Sequence, residues 1–250
     1  MPAKGDCALF LDFDGTLVEI AERPEAVVVA PGLPNTLATL RDQLGGALAL
    51  VSGRSIGTLD GFFGPHRFDA AGLHGVEHRL RGELAPCRPT DHPKLRALIE
   101  ALPTRLPLHP GVLIEDKGCS VGLHWRLAPE YEEELTKLVQ EMAAGLGSEY
   151  RLQLGKAVAE ILPAHASKGG IIDYFLHQPP FAERTAVFIG DDLTDELGFA
   201  TVNGRDGVSI RVGKGPTIAQ RRIETPAELR RCLSEWASKG RIDVERLSPA

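Results

Sequence analysis

Two carboxylates that are two residues apart, Asp12 and Asp14, directly follow a short apolar run near the start of the sequence. A carboxylate can attack phosphorus and form an aspartyl phosphate. The next residues suit this chemistry, because Gly15 lets the chain turn sharply and Thr16 supplies a hydroxyl, expected to bind substrate, near exposed backbone N–H groups. Since a carboxylate and a phosphate repel each other, the reaction needs a hard cation with oxygen ligands, for which Mg²⁺ is the leading candidate. The segment predicts phosphoryl transfer at a magnesium site, and the alternative is an acidic surface turn.

A second acidic segment, Gly190–Glu196, also follows an apolar run and carries four carboxylates. Carboxylates this close repel one another unless a cation lies among them. Thr194 followed by acidic residues is also typical of a helix start. The two interpretations are compatible: we expect Asp191 nearest the metal, with Asp192 and Asp195 supporting it from behind.

Two shorter segments carry groups that can hold a phosphate. Ser52, Gly53 and Arg54 follow another apolar run, where a hydroxyl and backbone N–H groups can bind a phosphate oxygen. Lys168 lies at a predicted helix start and can place a positive charge beside a phosphate and an attacking carboxylate. Each segment alone has a structural alternative, a helix N-cap for Ser52 and a solvated surface lysine for Lys168. Both interpretations therefore depend on the two acidic segments.

These residues need a scaffold that brings strand ends together. Short continuous apolar runs, typical of buried parallel strands, occur at Cys7–Leu11, Ala47–Val51, Ala186–Ile189 and Val208–Val212. Helical spacing over Leu33–Leu44 connects the first two runs as a βαβ unit, and further helices are predicted over Gly169–His177 and from Asp195. The pattern predicts an α/β fold with a parallel sheet, whose ligands bind at the carboxyl ends of the strands.

The middle of the chain has a different pattern. Helices are predicted over Lys94–Leu102 and Pro129–Ala144, each followed by a pair of strands joined by a short turn. The turns are Asp116-Lys117-Gly118 and Gly155-Lys156. Hairpins combined with helices predict a separate α+β layer. We therefore expect residues 1–85 and 164–250 to form a core domain and residues 86–163 to form an insert.

Composition narrows the classes of function. The 250 residues contain 28 Lys and Arg against 34 Asp and Glu, a net charge of −6, which disfavours nucleic acid or an anionic membrane surface as a partner. No apolar run approaches the ~18 residues of a membrane span, and the amino terminus lacks the long apolar region of a signal peptide. Cys7, Cys87, Cys119 and Cys232 are scattered without zinc spacing, so free thiols in a reducing cytoplasm are expected. The oligomeric state stays open, with a monomer favoured.

Taken in order, these segments resemble the motifs of the haloacid-dehalogenase (HAD) superfamily of phosphohydrolases. More narrowly, the chain is similar to the family of trehalose-6-phosphate phosphatases. The narrower resemblance rests on Ala71–Glu77, Ile114–Gly118, His124–Arg126, Glu160 and Asp191–Glu196. It spans roughly residues 8–215 and implies a Rossmann-like parallel-sheet core with an inserted α+β cap domain.

The resemblance also implies roles for the residues of the core. Asp12 is the expected nucleophile, and Asp14 is the expected general acid and then general base. Mg²⁺ is expected on Asp12, the backbone carbonyl of Asp14, and Asp191. Ser52 and Lys168 are expected to hold the transferring phosphoryl group.

The cap is expected to recognise the sugar. The resemblance places Glu115, Lys117 and Glu160 on the hydroxyls of a disaccharide, where charged partners can reject a ligand that lacks them. The residue two positions after Glu160, often basic in the family, is Leu162 here, and His74, which follows a predicted strand, is expected near the site. A magnesium-dependent phosphatase of trehalose 6-phosphate is the favoured function. The alternatives are a phosphatase of another sugar phosphate, such as sucrose phosphate, and a catalytically silent regulatory domain.

Overall fold

The computed structural model of this chain describes residues 7–88, 91–105 and 109–250. Within these ranges the chain divides into two compact units: residues up to Leu84 together with Ser167–Ala250 form the larger one, and Ala85–Ala166 form the smaller. The insert predicted from the sequence runs from 86 to 163. Residues 1–6, on which the prediction about a signal peptide partly rests, lie outside the described ranges.

Strands and helices alternate along most of the chain. In chain order the strands are β1 Cys7–Leu11, β2 Leu48–Val51, β3 Asp69–Gly72, β4 Glu77–Leu80, β5 Glu83–Ala85, β6 Leu113–Asp116, β7 Val121–His124, β8 Tyr150–Gly155, β9 Val158–Pro163, β10 Thr185–Gly190, β11 Val208–Val212, β12 Arg221–Ile223 and β13 Ser248–Pro249. The helices are α1 Leu33–Gln43, α2 Ile56–Phe63, α3 Pro93–Arg105, α4 Glu132–Leu146, α5 Lys168–Leu176, α6 Glu196–Asn203 and α7 Pro226–Lys239. None of the described helices is long and apolar enough to cross a membrane.

A mostly parallel sheet forms the centre of the larger unit, with the order β13-β12-β11-β10-β1-β2-β3-β4-β5 among the described strands. Strand β1 is parallel to both of its neighbours, β10 and β2, and every one of its residues is buried. Aromatic side chains pack against it: the ring of Phe10 stacks on Phe175 of α5 and on Phe181. Continuous apolar residues form this strand because helices cover both faces of a parallel sheet. The predicted α/β fold is confirmed.

The neighbour of β2 on the other side is β3, the strand expected before His74, whose bounds were not predicted. Its residues, Asp69-Ala-Ala-Gly72, are small and weakly apolar, so the run lacks the large aliphatic side chains that mark the other central strands. It is nevertheless buried, because it pairs with β2 on one side and β4 on the other. Helices α2 and α7 were also not predicted. Helix α7 begins after Thr225, whose hydroxyl accepts the Glu228 N–H, and ends at Gly240.

The smaller unit contains an antiparallel sheet with the described order β6-β7-β9-β8. Alternate residues of its strands point to opposite faces. Apolar residues of one face, such as Val121, Leu123 and Ile161, form one core with the buried side chains of α3 and α4. This pairing of hairpins and helices gives the unit a hydrophobic core of its own.

The expectation of free thiols at all four cysteines is wrong, because Cys87 and Cys119 form a disulfide. The two residues are 32 positions apart, a spacing that carries no signature in the sequence. The fold of the smaller unit brings their Cα atoms within 6.2 Å, inside the usual range for a disulfide. The bridge ties the beginning of this unit to the turn between β6 and β7, and Cys7 and Cys232 remain thiols.

A thiol titration checks this bridge. Protein purified without reductant and then unfolded should expose two thiols, from Cys7 and Cys232, and four after reduction. Cys87→Ser should lower the free energy of unfolding of the oxidised protein by about 2–4 kcal/mol, because the unfolded chain regains the entropy of the loop. Cys232→Ser is the matched control. Four thiols before reduction would contradict the bridge.

Candidate active site

Three predicted site residues directly follow neighbouring strands at the centre of the large sheet. Asp12 follows β1, Ser52 follows β2 and Asp191 follows β10. The strands end level with one another, since Leu11 pairs with Ile189 and the Asp12 N–H continues the ladder to the Ile189 carbonyl at 2.9 Å. On one side of β1 the chain adds β2 and then β3, and on the other side it adds β10, β11 and β12 in turn. Such a reversal of strand order opens a crevice at the strand ends where ligands bind.

The turn after β1 allows Asp191 to approach closely. Gly15 has a φ of +78°, and a Cβ at this position would lie 2.3 Å from Asp191 Oδ2. Only glycine fits here, because it tolerates the left-handed conformation and leaves room for the carboxylate. The Thr16 hydroxyl donates to Asp12 Oδ2 at 2.9 Å. Thr16, predicted on the substrate, therefore orients Asp12 in this structure.

Lys168 joins the two acidic segments. Its ammonium donates to Asp12 Oδ1 at 2.8 Å and to Asp195 Oδ1 at 2.7 Å, and the side chain is only 4% exposed. The lysine is the first residue of α5, a helix that begins because the Ser167 side chain accepts the N–H of Gly170. The structure thus brings Lys168 to the carboxylate beside which the sequence placed it.

Asp195 organises the loop after β10. Its Oδ1 accepts from Lys168, and its Oδ2 accepts the backbone N–H groups of Asp191 and Asp192 at 3.0 Å and 2.9 Å. The Asp192 carboxylate in turn accepts the N–H of Leu193 and completes a capping box with Asp195. Both residues therefore hold the loop that carries Asp191, and their role behind a metal ligand stays a prediction.

The buried acidic cluster has the donor set of a hard cation site. Carboxylate oxygens of Asp12, Asp191 and Asp195 lie within 4.8 Å of one another, and within this group Lys168 compensates one of three negative charges. Burial raises the pKa of Asp12 well above its usual range, and the charges of Asp195 and Asp191 add to this against the opposing effect of Lys168. A divalent cation bound by oxygens would relieve that excess charge.

Two of the three carboxylates suit such a cation better than the third. Both oxygens of Asp195 are already engaged by Lys168 and by backbone N–H groups. Burial alone would lower the pKa of the Lys168 ammonium, but Asp12 and Asp195 hold it above its usual range. Lys168 therefore stays charged beside Asp195, and Asp12 and Asp191 are the side chains that fit Mg²⁺.

Arg54, predicted on the phosphate, contacts Asp14 in this structure. Its Nε and Nη2 donate to the two oxygens of the Asp14 carboxylate at 2.6 Å and 2.8 Å. The guanidinium carbon also lies 5.5 Å and 5.2 Å from the ring centroids of Phe13 and Phe62, a favourable cation–π arrangement. The Ser52 hydroxyl accepts the Arg54 N–H at 3.1 Å. The loop after β2 thus restrains Asp14.

His74, which lies just after β3, contacts the same loop. Leu73 and His74 have φ values of +51° and +57°, a conformation that non-glycine residues adopt only where the surroundings enforce it. The N–H of His74 donates to the Ser52 carbonyl at 3.0 Å. A Cβ on Gly53 would lie 2.6 Å from His74 Nε2, so the imidazole packs directly on the backbone of Gly53. His74 is brought to the site, as the sequence indicated.

In the smaller unit, the three residues predicted for the sugar lie together. Lys117 Nζ is 3.0 Å from Glu160 Oε2 and 3.7 Å from Glu115 Oε2. Glu160 is only 5% exposed, and its other oxygen accepts the Ser120 hydroxyl at 2.7 Å. The cluster therefore presents fixed carboxylate and ammonium groups, the type of partner that discriminates among hydroxyl patterns.

Two members of this cluster, Ser120 and His124, were not predicted. His124 Nε2 lies 2.8 Å from Glu115 Oε2. Burial alone would raise the pKa of Glu115, but the contacts with His124 and Lys117 lower it below its usual value. The available signal was the alternation of side chains between the two faces of a strand. Ser120, just before β7, and His124, at its end, are an even number of residues apart, so their side chains share a face.

Comparison with known proteins agrees with this arrangement. Residues 10–230 match the family model described as trehalose-phosphatase. A probable trehalose-phosphate phosphatase of Sinorhizobium fredii is 49% identical over 208 residues, covering 82% of this chain and 77% of its own length. The trehalose-6-phosphate phosphatase of Escherichia coli is 42% identical over 217 residues, covering 86% of this chain and 81% of its own.

Solved structures show the same fold. A trehalose-6-phosphate phosphatase related protein superposes with a TM-score of 0.79 at 27% identity, over 93% of this chain and 97% of its own. A HAD-superfamily phosphatase from Bacteroides thetaiotaomicron superposes with a TM-score of 0.59 at 17% identity, over 91% of this chain and 94% of its own. This second likeness concerns the fold alone.

Removal of the Asp195 carboxylate tests its organising role. Asp195→Ala should lower the free energy of unfolding in metal-free buffer by about 3 kcal/mol, because buried Lys168 loses one partner and two backbone N–H groups, one buried and one half-buried, lose their acceptor. Asp192→Ala removes a more exposed cap and should cost about 1 kcal/mol. Denaturant unfolding of both variants measures the difference. Equal losses would contradict the role of Asp195.

Proposed function

We propose a specific reaction for this chain, which belongs to the trehalose-phosphatase family and is a phosphoric monoester hydrolase of the HAD superfamily. The proposed reaction is the Mg²⁺-dependent hydrolysis of trehalose 6-phosphate to trehalose and phosphate through an aspartyl phosphate. The observation that carries the proposal is the buried Asp12 carboxylate, which Lys168 and Thr16 orient beside Asp191.

In the first step a carboxylate oxygen of Asp12 attacks phosphorus. Lys168 and Thr16 each donate one hydrogen bond to this carboxylate, which fixes its direction and leaves lone pairs for the attack. The bond between phosphorus and the sugar oxygen breaks, and its electron pair stays on that oxygen. Asp14 supplies the proton that the departing alcohol needs.

In the second step water attacks the phosphorus of the aspartyl phosphate. Asp14, now a carboxylate, accepts a proton from this water. The bond between phosphorus and the Asp12 oxygen breaks, which releases phosphate and restores the Asp12 carboxylate. In this structure Asp14 is the carboxylate partner of Arg54, so the ion pair has to open and Asp14 has to take up a proton from solvent before the first step. The second step returns that proton to Asp14 for the next turnover.

The buried cluster fits Mg²⁺, which we propose is held by Asp12, Asp191 and the backbone carbonyl of Asp14. When bound, the cation offsets the repulsion between the attacking carboxylate and the phosphate. The residues around it have their own tasks: Lys168 and Ser52 bind the phosphoryl oxygens, and Asp195 keeps Lys168 and the Asp191 loop in place.

Recognition of the sugar is proposed to belong to the smaller unit, through Glu115, Lys117 and Glu160. These groups hold one another in place, so little ordering is required when hydroxyls replace water on them. We propose that the substrate is a small sugar phosphate, with neither nucleic acid nor a membrane as partner, and that the enzyme acts as a monomer. The cytoplasmic location expected from four free thiols is not proposed, because two of those cysteines form a disulfide. The disulfide argues for a compartment that is not fully reducing.

Loss of the nucleophile or of the metal should stop the reaction. Asp12→Asn is expected to reduce phosphate release from trehalose 6-phosphate by at least about 10³-fold, because an amide cannot form the acyl phosphate. Treatment of the wild type with EDTA should stop release, and excess Mg²⁺ should restore it. The circular dichroism spectrum of Asp12→Asn serves as the control for folding. Full activity of this variant would end the assignment of Asp12 as nucleophile.

A panel of phosphate esters separates the proposed substrate from its alternatives. The kcat/KM for trehalose 6-phosphate should exceed that for sucrose phosphate, glucose 6-phosphate and p-nitrophenyl phosphate by at least about tenfold, because fixed polar groups reject mismatched hydroxyls. Equal rates across the panel would contradict the substrate. No turnover of any ester would favour a silent regulatory domain.

A further inference from the structure

The two faces of the sheet in the smaller unit differ sharply. The face that carries Val121 and Leu123 packs into the core formed with α3 and α4. The opposite face carries polar groups from each described strand of the sheet. These groups are Glu115 on β6, His124 on β7, Glu160 on β9, and Arg151 and Gln153 on β8.

The strand register aligns three of these residues, together with Gly122, in one row. Glu115 pairs with Gly122, Gly122 pairs with Glu160, and Glu160 pairs with Gln153. Directly opposed residues of antiparallel strands lie on the same face with Cβ atoms about 4.5–5.5 Å apart. Gln153 therefore extends the row of Glu115 and Glu160 onto the fourth strand.

A glycine, Gly122, lies at the centre of this row. A Cβ on Gly122 would lie 3.1 Å from His124 Nε2 and 3.7 Å from Glu115 Oε2. The His124 imidazole and the Glu115 carboxylate therefore lie over the glycine, and Lys117 Nζ lies between Glu115 and Glu160. The row thus places donors and acceptors side by side, an arrangement that suits the hydroxyls at the edge of a sugar ring.

Arg151 fixes the orientation of the Gln153 amide. Its Nη2 donates to Gln153 Oε1 at 2.7 Å and to the Ala166 carbonyl at 2.7 Å. Because arginine carries only donors, the amide oxygen must face Arg151, and the amide NH₂ group is turned away from it. Burial lowers the pKa of Arg151, and the nearby Glu160 charge opposes this, which agrees with a shared face.

We propose that Gln153 is a specificity-determining residue that donates a hydrogen bond from its amide NH₂ to a hydroxyl of the sugar, and that Arg151 is the positioning residue that aims this amide. The inference rests on the proposed function, because it adds a fourth group to the sugar site of Glu115, Lys117 and Glu160. Since the carboxylates accept hydrogen bonds and Lys117 donates, Gln153 supplies a neutral donor on the far strand.

The experiment compares two substrates in the full-length, oxidised protein. Gln153→Met keeps the length of the side chain and removes the donor, so the KM for trehalose 6-phosphate should rise by about 3- to 10-fold while kcat changes less than twofold. The kcat/KM for p-nitrophenyl phosphate, which has no sugar, should not change. Gln140→Met, on the exposed surface of α4, is the matched control and should leave both substrates unaffected.

A mutant cycle separates positioning by Arg151 from a purely structural role. Arg151→Met should raise the KM for trehalose 6-phosphate as Gln153→Met does, Arg151→Lys should restore part of it, and Arg151→Met should add nothing in the Gln153→Met background. An unchanged KM in Gln153→Met, or an equal loss on both substrates, overturns the inference while the proposed function stands. A wild type that shows no preference for trehalose 6-phosphate overturns both.

Discussion

A buried lysine ammonium between two carboxylates is the interaction on which the large unit and its site depend. Lys168 at the start of α5 contacts Asp12 after β1 and Asp195 before α6, so three segments far apart in sequence must meet for its charge to be compensated. Removing one partner of a buried ion pair typically costs about 3–5 kcal/mol. The α/β fold satisfies this constraint because the strands β10, β1 and β2 end at one edge, and the turns that follow them converge there.

The same constraint leaves an excess of negative charge that has a chemical use. Asp12, Asp191 and Asp195 are buried together, and Asp14 just beyond them is paired with Arg54. The net charge of −6 is therefore no obstacle to an anionic substrate, since part of the excess acid lies beside Lys168, at the site of the proposed cation. The charge of Asp14 is balanced separately, by the Arg54 guanidinium, which also contacts the rings of Phe13 and Phe62.

Much of this arrangement could be predicted from the sequence, because short continuous apolar runs and the acidic turns that follow them are local features. Such runs predicted the strands Cys7–Leu11 and Val208–Val212. Asp12 and Asp191 were placed by the ends of two such runs, and Lys168 was placed by a predicted helix start. The bounds of strand β3, expected before His74, could not be predicted in this way, since alanine and glycine give little hydrophobic signal although the strand is buried by its neighbours.

Contacts between residues far apart in the sequence could not be predicted either. The Arg54–Asp14 pair spans 40 positions and the Cys87–Cys119 bridge spans 32, and neither spacing has a periodicity that a sequence displays. The row that joins Glu115, Glu160 and Gln153 depends on the register of three strand pairs. Register is set by tertiary packing and by turn geometry, so the hairpin turns could be predicted while the residues that they bring opposite each other could not.

The most direct test of the mechanism is to trap the covalent intermediate. Rapid acid quenching of the enzyme during turnover of trehalose 6-phosphate, followed by borohydride reduction and peptide mass spectrometry, identifies which carboxylate carried the phosphoryl group. The mechanism predicts reduction of one side chain, Asp12, to the corresponding alcohol, in the wild type and in Gln140→Met alike. Modification of Asp14 or Asp191 instead, or turnover in which no side chain is ever reduced, would contradict an aspartyl phosphate on Asp12.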